Sequence, residues 1–348
     1  MASKSKKRNV MAASLKLYGF IVVAYFLLRL IFGDNLNLVA CLNNCIPVGL
    51  FPVILISPIS IKKRNYATSL WSMLAALFLI VEFGHRFLPH PSGKHPAINS
   101  SSLRILSHNT AQDLPDFDNI DRLIRQSNVD IVILQEVTKE NIDRHLQNLL
   151  DEYPYQVYGP LQDEKQIGMG ILSRYPLTNM ANFKLVDGGL VFQQKVSVNV
   201  DGAVITIYNI HLTFPWVRMK QSSLISNLSF PFYDDQVRRQ EIDRLIEILQ
   251  NEPNPVILAG DFNFNEQSSD YRRLTSFLVD SFDSAGFGFG FTWPANRTPS
   301  VNIRPAIPSM RIDYILHSPR IQTSSAQVLS ETGSDHKPVL VELTLRED

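Results

Sequence analysis

The chain has 348 residues, equal numbers of basic and acidic side chains (33 each), 45% hydrophobic and 10% aromatic residues, and only two cysteines. That is enough for one large or two ordinary domains with a substantial core, and it excludes a disulfide framework or a cysteine zinc site. The zero net charge hides an asymmetry: residues 1–102 carry 11 Lys or Arg against only Asp34 and Glu82, whereas the remainder carries 22 against 31 Asp or Glu, a net of −9. An acidic body argues against a sequence-independent grip on nucleic-acid phosphates, which needs clustered Lys and Arg, but it suits divalent cations.

The chain opens on the basic cluster Lys4, Lys6, Lys7 and Arg8, followed by apolar runs at about residues 15–32, 36–61 and 67–88. Each is long enough to cross a bilayer, for which a helix needs ~20 apolar residues. No small-residue cleavage site follows the first run, so a cleaved signal peptide fits less well than an anchor. Three membrane spans are expected over residues 1–88. Pro47, Pro52 and Pro58 leave the second open to kinking or re-entry. Cys41 and Cys45, four residues apart, read as small apolar side chains of that region. Lys62, Lys63 and Arg64 share a side with the N-terminal cluster if the first two spans form a hairpin. The excess of basic residues on cytoplasmic loops then places both clusters in the cytoplasm and everything after Leu88 outside. Arg29 can snorkel, and Glu82 with Arg86 at i,i+4 reads as a local ion pair. Residues 89–102 form a linker whose Pro-rich sequence is too flexible to organise His85, His90 and His95 as metal ligands.

From residue 103 the pattern changes to short apolar runs with turn punctuation. Strands are expected at 104–109, 130–135, 170–174, 191–200, 203–212, 255–261, 312–317 and 339–345. Asp201-Gly202 turns a hairpin. Helices are expected at 117–127, 141–150, 235–249 and 271–278. Strands mixed with helices and hairpins imply an α/β domain with mixed sheets.

The strand ends share a chemistry. Strands finish on Asn109, Glu136 and His211, on Asp261 and Asn263 in Gly260-Asp261-Phe262-Asn263, and near Asp313, while Ser334-Asp335-His336 forms a turn before the last strand. On extended backbone Asp261 and Asn263 project to one face. Taken alone, that stretch reads equally as a strand running into an Asx turn. Repeated at six strand ends, carboxylates, amides and imidazoles suggest an oxygen-rich site for a hard cation such as Mg²⁺.

The set Leu134-Gln135-Glu136, Tyr208-Asn209-Ile210-His211, Gly260-Asp261-Phe262-Asn263, Arg311-Ile312-Asp313-Tyr314 and Ser334-Asp335-His336 resembles the endonuclease/exonuclease/phosphatase superfamily, in order, over residues 103–348. With apolar spans in front it resembles the membrane-anchored bacterial branch, related to neutral sphingomyelinases, deoxyribonuclease, abasic-site endonucleases and inositol polyphosphate 5-phosphatases. The resemblance implies a four-layer sandwich of two mixed β-sheets flanked by helices. It implies Mg²⁺ or Mn²⁺ held by Glu136, Asn109 and Asp335. It implies Asp261 positioning or deprotonating the attacking water, Asn263 and His211 bonding phosphoryl oxygens, and His336, its tautomer set by Asp313, stabilising the transition state or serving as base. Arg174 is a candidate for a further phosphate contact or a surface cation, and Phe291-Thr292-Trp293-Pro294 occupies the place of a substrate-side loop or a core aromatic.

Two departures stand out. No carboxylate follows Asn109 in Thr110-Ala111-Gln112, and the segment 214–234 is long and aromatic-rich, suited to the membrane interface or to folding onto its own domain. The expected function is hydrolysis of a phosphodiester outside the cytoplasm, with a lipid head group ahead of DNA or RNA. A non-catalytic phosphate-binding protein is the second class, and a transporter or scaffold, with only Asn43 and Asn44 polar mid-span, the third. No protein partner is legible.

Overall fold

The computed structural model describes residues 2–44, 46, 48–62, 66–88, 102–112, 117–160, 168–187, 192–218, 231–295, 308–330 and 332–345. The chain forms two compact units, Met1–Leu88 with Gln267–Ser269, and Pro89–Glu266 with Asp270–Asp348. His90, His95, Cys45, Lys63, Arg64 and most of the 214–234 segment lie outside the described residues.

The first unit contains α1 (Ala2–Phe32), α2 (Asn37–Asn43), α3 (Pro52–Lys62) and α4 (Tyr66–Phe83). Two of its helical stretches are long and apolar enough to cross a membrane, Ala13–Asn35 and Ser69–Phe87, of 23 and 19 residues. The expected second span does not form as one helix. It is divided into α2 of seven residues and α3 of 11, with Pro52 opening α3 and Pro58 inside it, and each piece is well short of the ~20 residues a crossing needs.

Contacts between α1 and α4 advance in the same direction along both helices. Phe20 meets Trp71 at 5.8 Å, Phe26 stacks on Phe78 at 4.3 Å, and Arg29 Nη2 reaches Glu82 Oε1 at 3.0 Å. The two helices are therefore parallel, and the chain between them, described at 33–44, 46 and 48–62, runs back. Tyr25 Oη donates to Asn43 Oδ1 and Tyr18 Oη to the Gly49 carbonyl, each at 2.6 Å, so the returning chain descends along α1. Glu82 thus pairs across helices with Arg29 rather than locally with Arg86, whose guanidinium lies over the Phe83 ring.

The second unit runs β1 (Ser102–Asn109), α5 (Asp118–Ser127), β2 (Ile131–Val137), α6 (Lys139–Arg144), β3 (Tyr155–Tyr158), β4 (Gly168–Ser173), β5 (Leu177–Phe183), β6 (Gln193–Val200), β7 (Ala203–His211), β8 (Trp216–Arg218), β9 (Pro231–Tyr233), α7 (Gln236–Gln250), β10 (Val256–Asp261), α8 (Ser269–Thr275), β11 (Val279–Asp280), α9 (Ser281–Ala285), β12 (Asp313–His317), β13 (Ile321–Val328) and β14 (Val339–Leu345). One sheet has the order β13-β14-β1-β2-β4-β3 and the other β11-β12-β10-β7-β6-β5, while β8 and β9 pair as a separate hairpin. Both large sheets are mixed: β1 is parallel to β2 and β7 to β10, among antiparallel neighbours.

Side-chain alternation builds the layers. Leu103, Ile105, Ile131 and Ile133 of the first sheet meet Ile205, Ile207, Ile257, Ala259 and Ile315 of the second in one buried core. Their odd-even neighbours face outward: Leu106, Val132 and Leu134 pack on Ile120 and Ile124 of α5, and Tyr208, Ile210 and Leu258 pack on Ile242 and Leu245 of α7. This is the period-two pattern of strands buried on both faces. The expected arrangement of two mixed sheets flanked by helices is what forms.

Gly260 shows how closely β7 and β10 approach. Its φ is +141°, and a Cβ there would lie 1.9 Å from the Ile210 carbonyl oxygen. Gly202, in the β6–β7 turn at φ +94°, has nothing within 4 Å of the same position. Gly260→Ala should lower the stability of this unit by about 3 kcal/mol or more, and Gly202→Ala by about 1 kcal/mol. Denaturant midpoints of the two variants, followed by tryptophan fluorescence, should separate them in that order; equal midpoints would contradict the close approach.

Candidate active site

The apolar face between the two sheets turns polar at one end, with no change of register. Along β1 the inward positions read Leu103, Ile105, Ser107 and Asn109. Along β2 they read Ile131, Ile133 and Gln135, along β7 Ile205, Ile207, Asn209 and His211, and along β10 Ile257, Ala259 and Asp261. β12 runs the other way, from Asp313 to Ile315. A first polar layer joins the sheets: Gln135 Nε2 donates to Asn209 Oδ1 at 2.8 Å, and Asn209 Nδ2 to the Leu134 carbonyl and Gln194 Oε1, each at 3.0 Å. Above this layer lie the candidate catalytic groups.

Glu136 is the exception to the alternation. As an even residue it would follow Leu134 to the helix side. Instead it adopts φ +56°, and the β2–β4 register shifts between Gln135 and Val137. A β-bulge with a left-handed non-glycine residue re-aims a side chain at the cost of strain, a feature frequent at functional sites. Here it turns the carboxylate onto the inward face. Asn109 Nδ2 donates to Glu136 Oε1 at 3.1 Å, Gln112 N–H to Oε2 at 3.0 Å, and His211 Nε2 stands 3.7 Å from Oε1. Burial opposes the Glu136 charge, but His211 and these donors outweigh it and hold the carboxyl below its usual range.

Asp261 lies at the centre. Its Oδ1 accepts the Asn263 N–H at 2.9 Å, an Asx turn, with Asn263 itself at φ +53°. Its Oδ2 accepts from Asn109 Nδ2 at 3.1 Å and faces His211 Nε2 at 3.6 Å and His336 Nε2 at 3.7 Å. The turn and the polar cluster are therefore the same structure, each using a different oxygen. Burial pushes the Asp261 carboxyl up to about 6, against the pull of His336 and with a further push from Asp313. Asn263 Nδ2 donates to the Leu212 carbonyl at 2.8 Å and points its second hydrogen at Asp261 Oδ2, 3.4 Å away.

His336 Nδ1 sits 2.9 Å and 3.1 Å from the two oxygens of Asp313, which leaves Nε2 facing Asp261. Burial lowers the imidazole pKa, but Asp313 and Asp261 raise it more, up to about 10. His108, on the outward face of β1, shows the opposite balance: burial drops it to about 3, and its Nε2 meets Thr332 Oγ1 at 2.9 Å. Ser334 Oγ accepts the His336 N–H at 3.0 Å and donates to the Asn109 carbonyl at 2.8 Å, fixing the turn against β1. Thr292 Oγ1 accepts the N–H groups of Ile312 and Asp313, and Trp293 Nε1 donates to Asp335 Oδ2 at 3.4 Å. The Phe291–Pro294 segment therefore forms part of the site wall. Burial raises the Asp335 carboxyl, His336 lowers it, and the Glu136 charge raises it again.

Asn109, Glu136, His211, Asp261, Asn263, Asp313, Asp335 and His336 thus fall into one network. Arg174 does not join it. β4 is antiparallel to β2, so Ser173 pairs with Ile131 at the far end of the sheet. There Arg174 Nη2 donates to Asn128 Oδ1 at 2.9 Å, Nη1 lies 3.8 Å from Asp130, and the guanidinium covers the Tyr153 ring. It stands at the opposite end of the sheet from the network.

The donor chemistry fits a hard divalent cation at Glu136 and Asp335, two acids that repel each other's charge. The amide of Asn109 points its nitrogen at the acids while its oxygen accepts the Ala111 N–H at 3.0 Å, so ligation through oxygen requires the amide to turn over. Asp261, Asp313 and His336 also bring three ligating atoms within 4.8 Å of one another, but Asp313 spends both oxygens on His336.

Several supporting residues carry no strand-end signal. Gln193 clamps the His211 backbone, accepting its N–H at 2.7 Å and donating to its carbonyl at 3.0 Å. Glu241 accepts from Thr213 N–H and Oγ1 at 2.8 Å and 2.9 Å. Arg238, wholly buried, donates to the Asn263 carbonyl. Only their burial in otherwise apolar surroundings marks them; the helical spacing around Arg238 and Glu241 hints at it.

Comparison with known proteins agrees with this geometry. A curated relative, a UPF0294 protein of Vibrio vulnificus strain YJ016, is 26% identical over 151 residues, 38% of this chain and 48% of the relative, so the match spans about half the length of that protein. The crystal structure of an endonuclease/exonuclease/phosphatase from Bacteroides vulgatus superposes with a TM-score of 0.54 at 18% identity, covering 71% of this chain and all (100%) of the other. D. rerio TDP2, complexed with a single-strand DNA product, gives a TM-score of 0.54 at 15% identity over 70% of this chain and 99% of its own. At these identities the solved structures establish a shared fold. The family model of the Endonuclease/Exonuclease/phosphatase family matches residues 98–336, a stretch that holds every residue of the network, and the chain belongs to that family.

Proposed function

We propose that this chain is a membrane-anchored, Mg²⁺-dependent phosphodiesterase whose second unit works outside the cytoplasm, with Mn²⁺ as an alternative metal and a phospholipid-type head group favoured as substrate. The observation that carries the catalytic reading is the convergence of Asp261, the Asp313–His336 pair, His211 and Glu136 on the polar end of one inter-sheet face. Family members are generally metal-dependent hydrolases of phosphodiester bonds, and none of the groups such chemistry needs is missing. That weighs against a non-catalytic binding protein.

The electrostatics suggest a division of roles. His336, held protonated by Asp313 up to about pH 10, is a cation at neutral pH and suits stabilisation of charge on the phosphoryl oxygens. Asp261, pushed up to about 6, is ionised at neutral pH and remains a usable proton acceptor. Its Oδ2 takes the proton of the attacking water while Oδ1 stays in the turn. His211 Nε2 and the Asn263 Nδ2 hydrogen that points toward Asp261 Oδ2 bond phosphoryl oxygens; the other Asn263 hydrogen stays on Leu212. A divalent cation held by Glu136, Asp335 and a turned Asn109 would neutralise phosphate charge and stabilise the leaving oxygen.

The lipid preference rests on the net charge of −9 after residue 102 and on two helices able to anchor the chain in a bilayer. Outward orientation is supported by the parallel packing of α1 and α4, which sends both helices away from the side carrying the N-terminal basic cluster. The likeness to TDP2, solved with single-strand DNA, keeps a nuclease as the second reading.

Purified protein with Mg²⁺ should hydrolyse bis(p-nitrophenyl) phosphate and lose that activity to EDTA. Asp261→Ala should reduce kcat by about 1,000-fold or more. Equal rates in wild type and variant would sink the catalytic reading, and turnover of DNA alone in a panel of lipids and nucleic acids would overturn the lipid preference. The pH profile should rise as Asp261 loses its proton near pH 6, earlier once a cation is bound, and fall as His336 loses its proton near pH 10. Asp313→Asn removes the carboxylate that raises His336, so the falling limb should move to lower pH; an unmoved limb would remove His336 from the assigned role. A periplasmic-type reporter fused after Asp348 should be active and a cytoplasm-only reporter silent, and the reverse pattern would refute the orientation.

A further inference from the structure

Asn263 poses a physical problem that the strand does not solve. A left-handed backbone is uncommon for residues other than glycine, although asparagine tolerates it better than most, and Asn263 holds it at φ +53° with its side chain on both Leu212 and Asp261. The Asx turn of Asp261 fixes its N–H side. The carbonyl side is fixed from the helical layer.

We propose that Arg238 is a positioning residue for Asn263, and that it acts with Glu241 as a brace on one face of α7 that sets the distance between the His211 and Asp261 strand ends. This builds on the phosphodiesterase reading only in what the brace is for. Arg238 Nη1 donates to the Asn263 carbonyl, and Nη2 lies 3.0 Å from Tyr233 Oη. The guanidinium is aimed by Asp235 at 3.5 Å and Asp270 at 3.9 Å, and it lies over the Phe264 ring. One turn along α7, Glu241 accepts both hydrogens that Thr213 offers. Asn263 Nδ2 bonds the carbonyl of Leu212, the residue before Thr213. The two α7 side chains therefore grip the chain at both ends of the Asn263–Leu212 cross-link, which ties the loop after β7 to the loop after β10.

Both side chains are almost completely buried, at 1% exposure. Burying two charged side chains is a poor way to gain stability, and Arg238 Nε has no hydrogen-bond partner among the described residues, but the directional bonds that the two side chains do make fix one geometry. A buried planar guanidinium also offers several donors in a fixed fork, which a lysine cannot reproduce. Neither Arg238 nor Glu241 touches the reacting region, so the brace acts through Asn263 and Thr213.

The test compares full-length wild type with Arg238→Met and Arg238→Lys, in detergent, by turnover of bis(p-nitrophenyl) phosphate with Mg²⁺ and by peptide-resolved hydrogen exchange. Arg238→Met should lower kcat by about 100-fold while moving KM by less than about 3-fold, the signature of a misplaced group rather than a lost contact. Exchange should quicken at residues 262–265 and stay slow along Val256–Ala259. Arg238→Lys keeps the charge without the fork and should recover only a small part of kcat. Quickened exchange through the whole of β10 would make Arg238 merely structural, and unchanged exchange at 262–265, or full recovery with lysine, would overturn the brace. If the wild type itself fails to turn over the phosphodiester, the phosphodiesterase reading falls, and the exchange comparison still decides the role of Arg238.

Discussion

The structure depends on one constraint: two sheets packed face to face must fill the space between them with inward side chains at every second position. Over most of their length β1, β2, β7 and β10 meet that demand with Leu, Ile and Ala. At their carboxyl ends the same positions become Asn109, Gln135, Asn209, His211 and Asp261. No separate scaffold builds the site; it is the end of the core, written in polar residues. Its precision comes from the ladders, since a one-residue slip in any strand would turn its contribution away.

Polar groups in a core are costly unless each finds a partner. The site solves this by sharing. Asn109 Nδ2 serves Glu136 and Asp261 together, Asp313 gives both oxygens to His336, and Asn209 satisfies four groups across the two sheets. The sharing is not complete, since Gln135 Oε1, Gln194 Nε2 and His211 Nδ1 have no hydrogen-bond partner among the described residues, and charge is also unbalanced. Asp261 is raised and Glu136 lowered within one cluster, and His336 is driven strongly cationic. Separated proton affinities among close groups are what acid–base work at neutral pH requires. Two of the left-handed non-glycine residues, Glu136 and Asn263, sit at the same places, and both direct side chains toward the cluster.

The strands legible from the sequence and those that were not divide by position. The eight expected strands are the interior members of the two large sheets, and the four unexpected members of those sheets, β3, β5, β11 and β13, are the four edges; the separate β8–β9 hairpin is likewise unexpected. An edge strand packs against less and needs fewer apolar residues. β5 reads Leu-Thr-Asn-Met-Ala-Asn-Phe with its middle five residues exposed, and β11 has only two residues. The membrane region failed in a different way. Hydropathy registers composition but not helical continuity, so α2 and α3 merge into one apparent span although a turn separates them.

The sequence by itself determined the alternating fold class, the polar strand ends and the family they resemble, because period-two burial and side-chain chemistry are local properties. Only the tertiary structure decided which candidates meet. Arg174 follows an expected strand as His211 and Asp261 end theirs, yet the antiparallel direction of β4 carries it to the far end of the sheet. Strand direction, the bulge that turns Glu136 inward, and the reach of Arg238 and Glu241 from α7 depend on pairings between residues distant along the chain. At Gly260-Asp261-Phe262-Asn263 the sequence leaves a turn and a catalytic edge equally open. The fold combines the turn with a polar strand edge, because Asp261 has two oxygens and the packing of β1, β7 and β12 around it gives the second one separate partners.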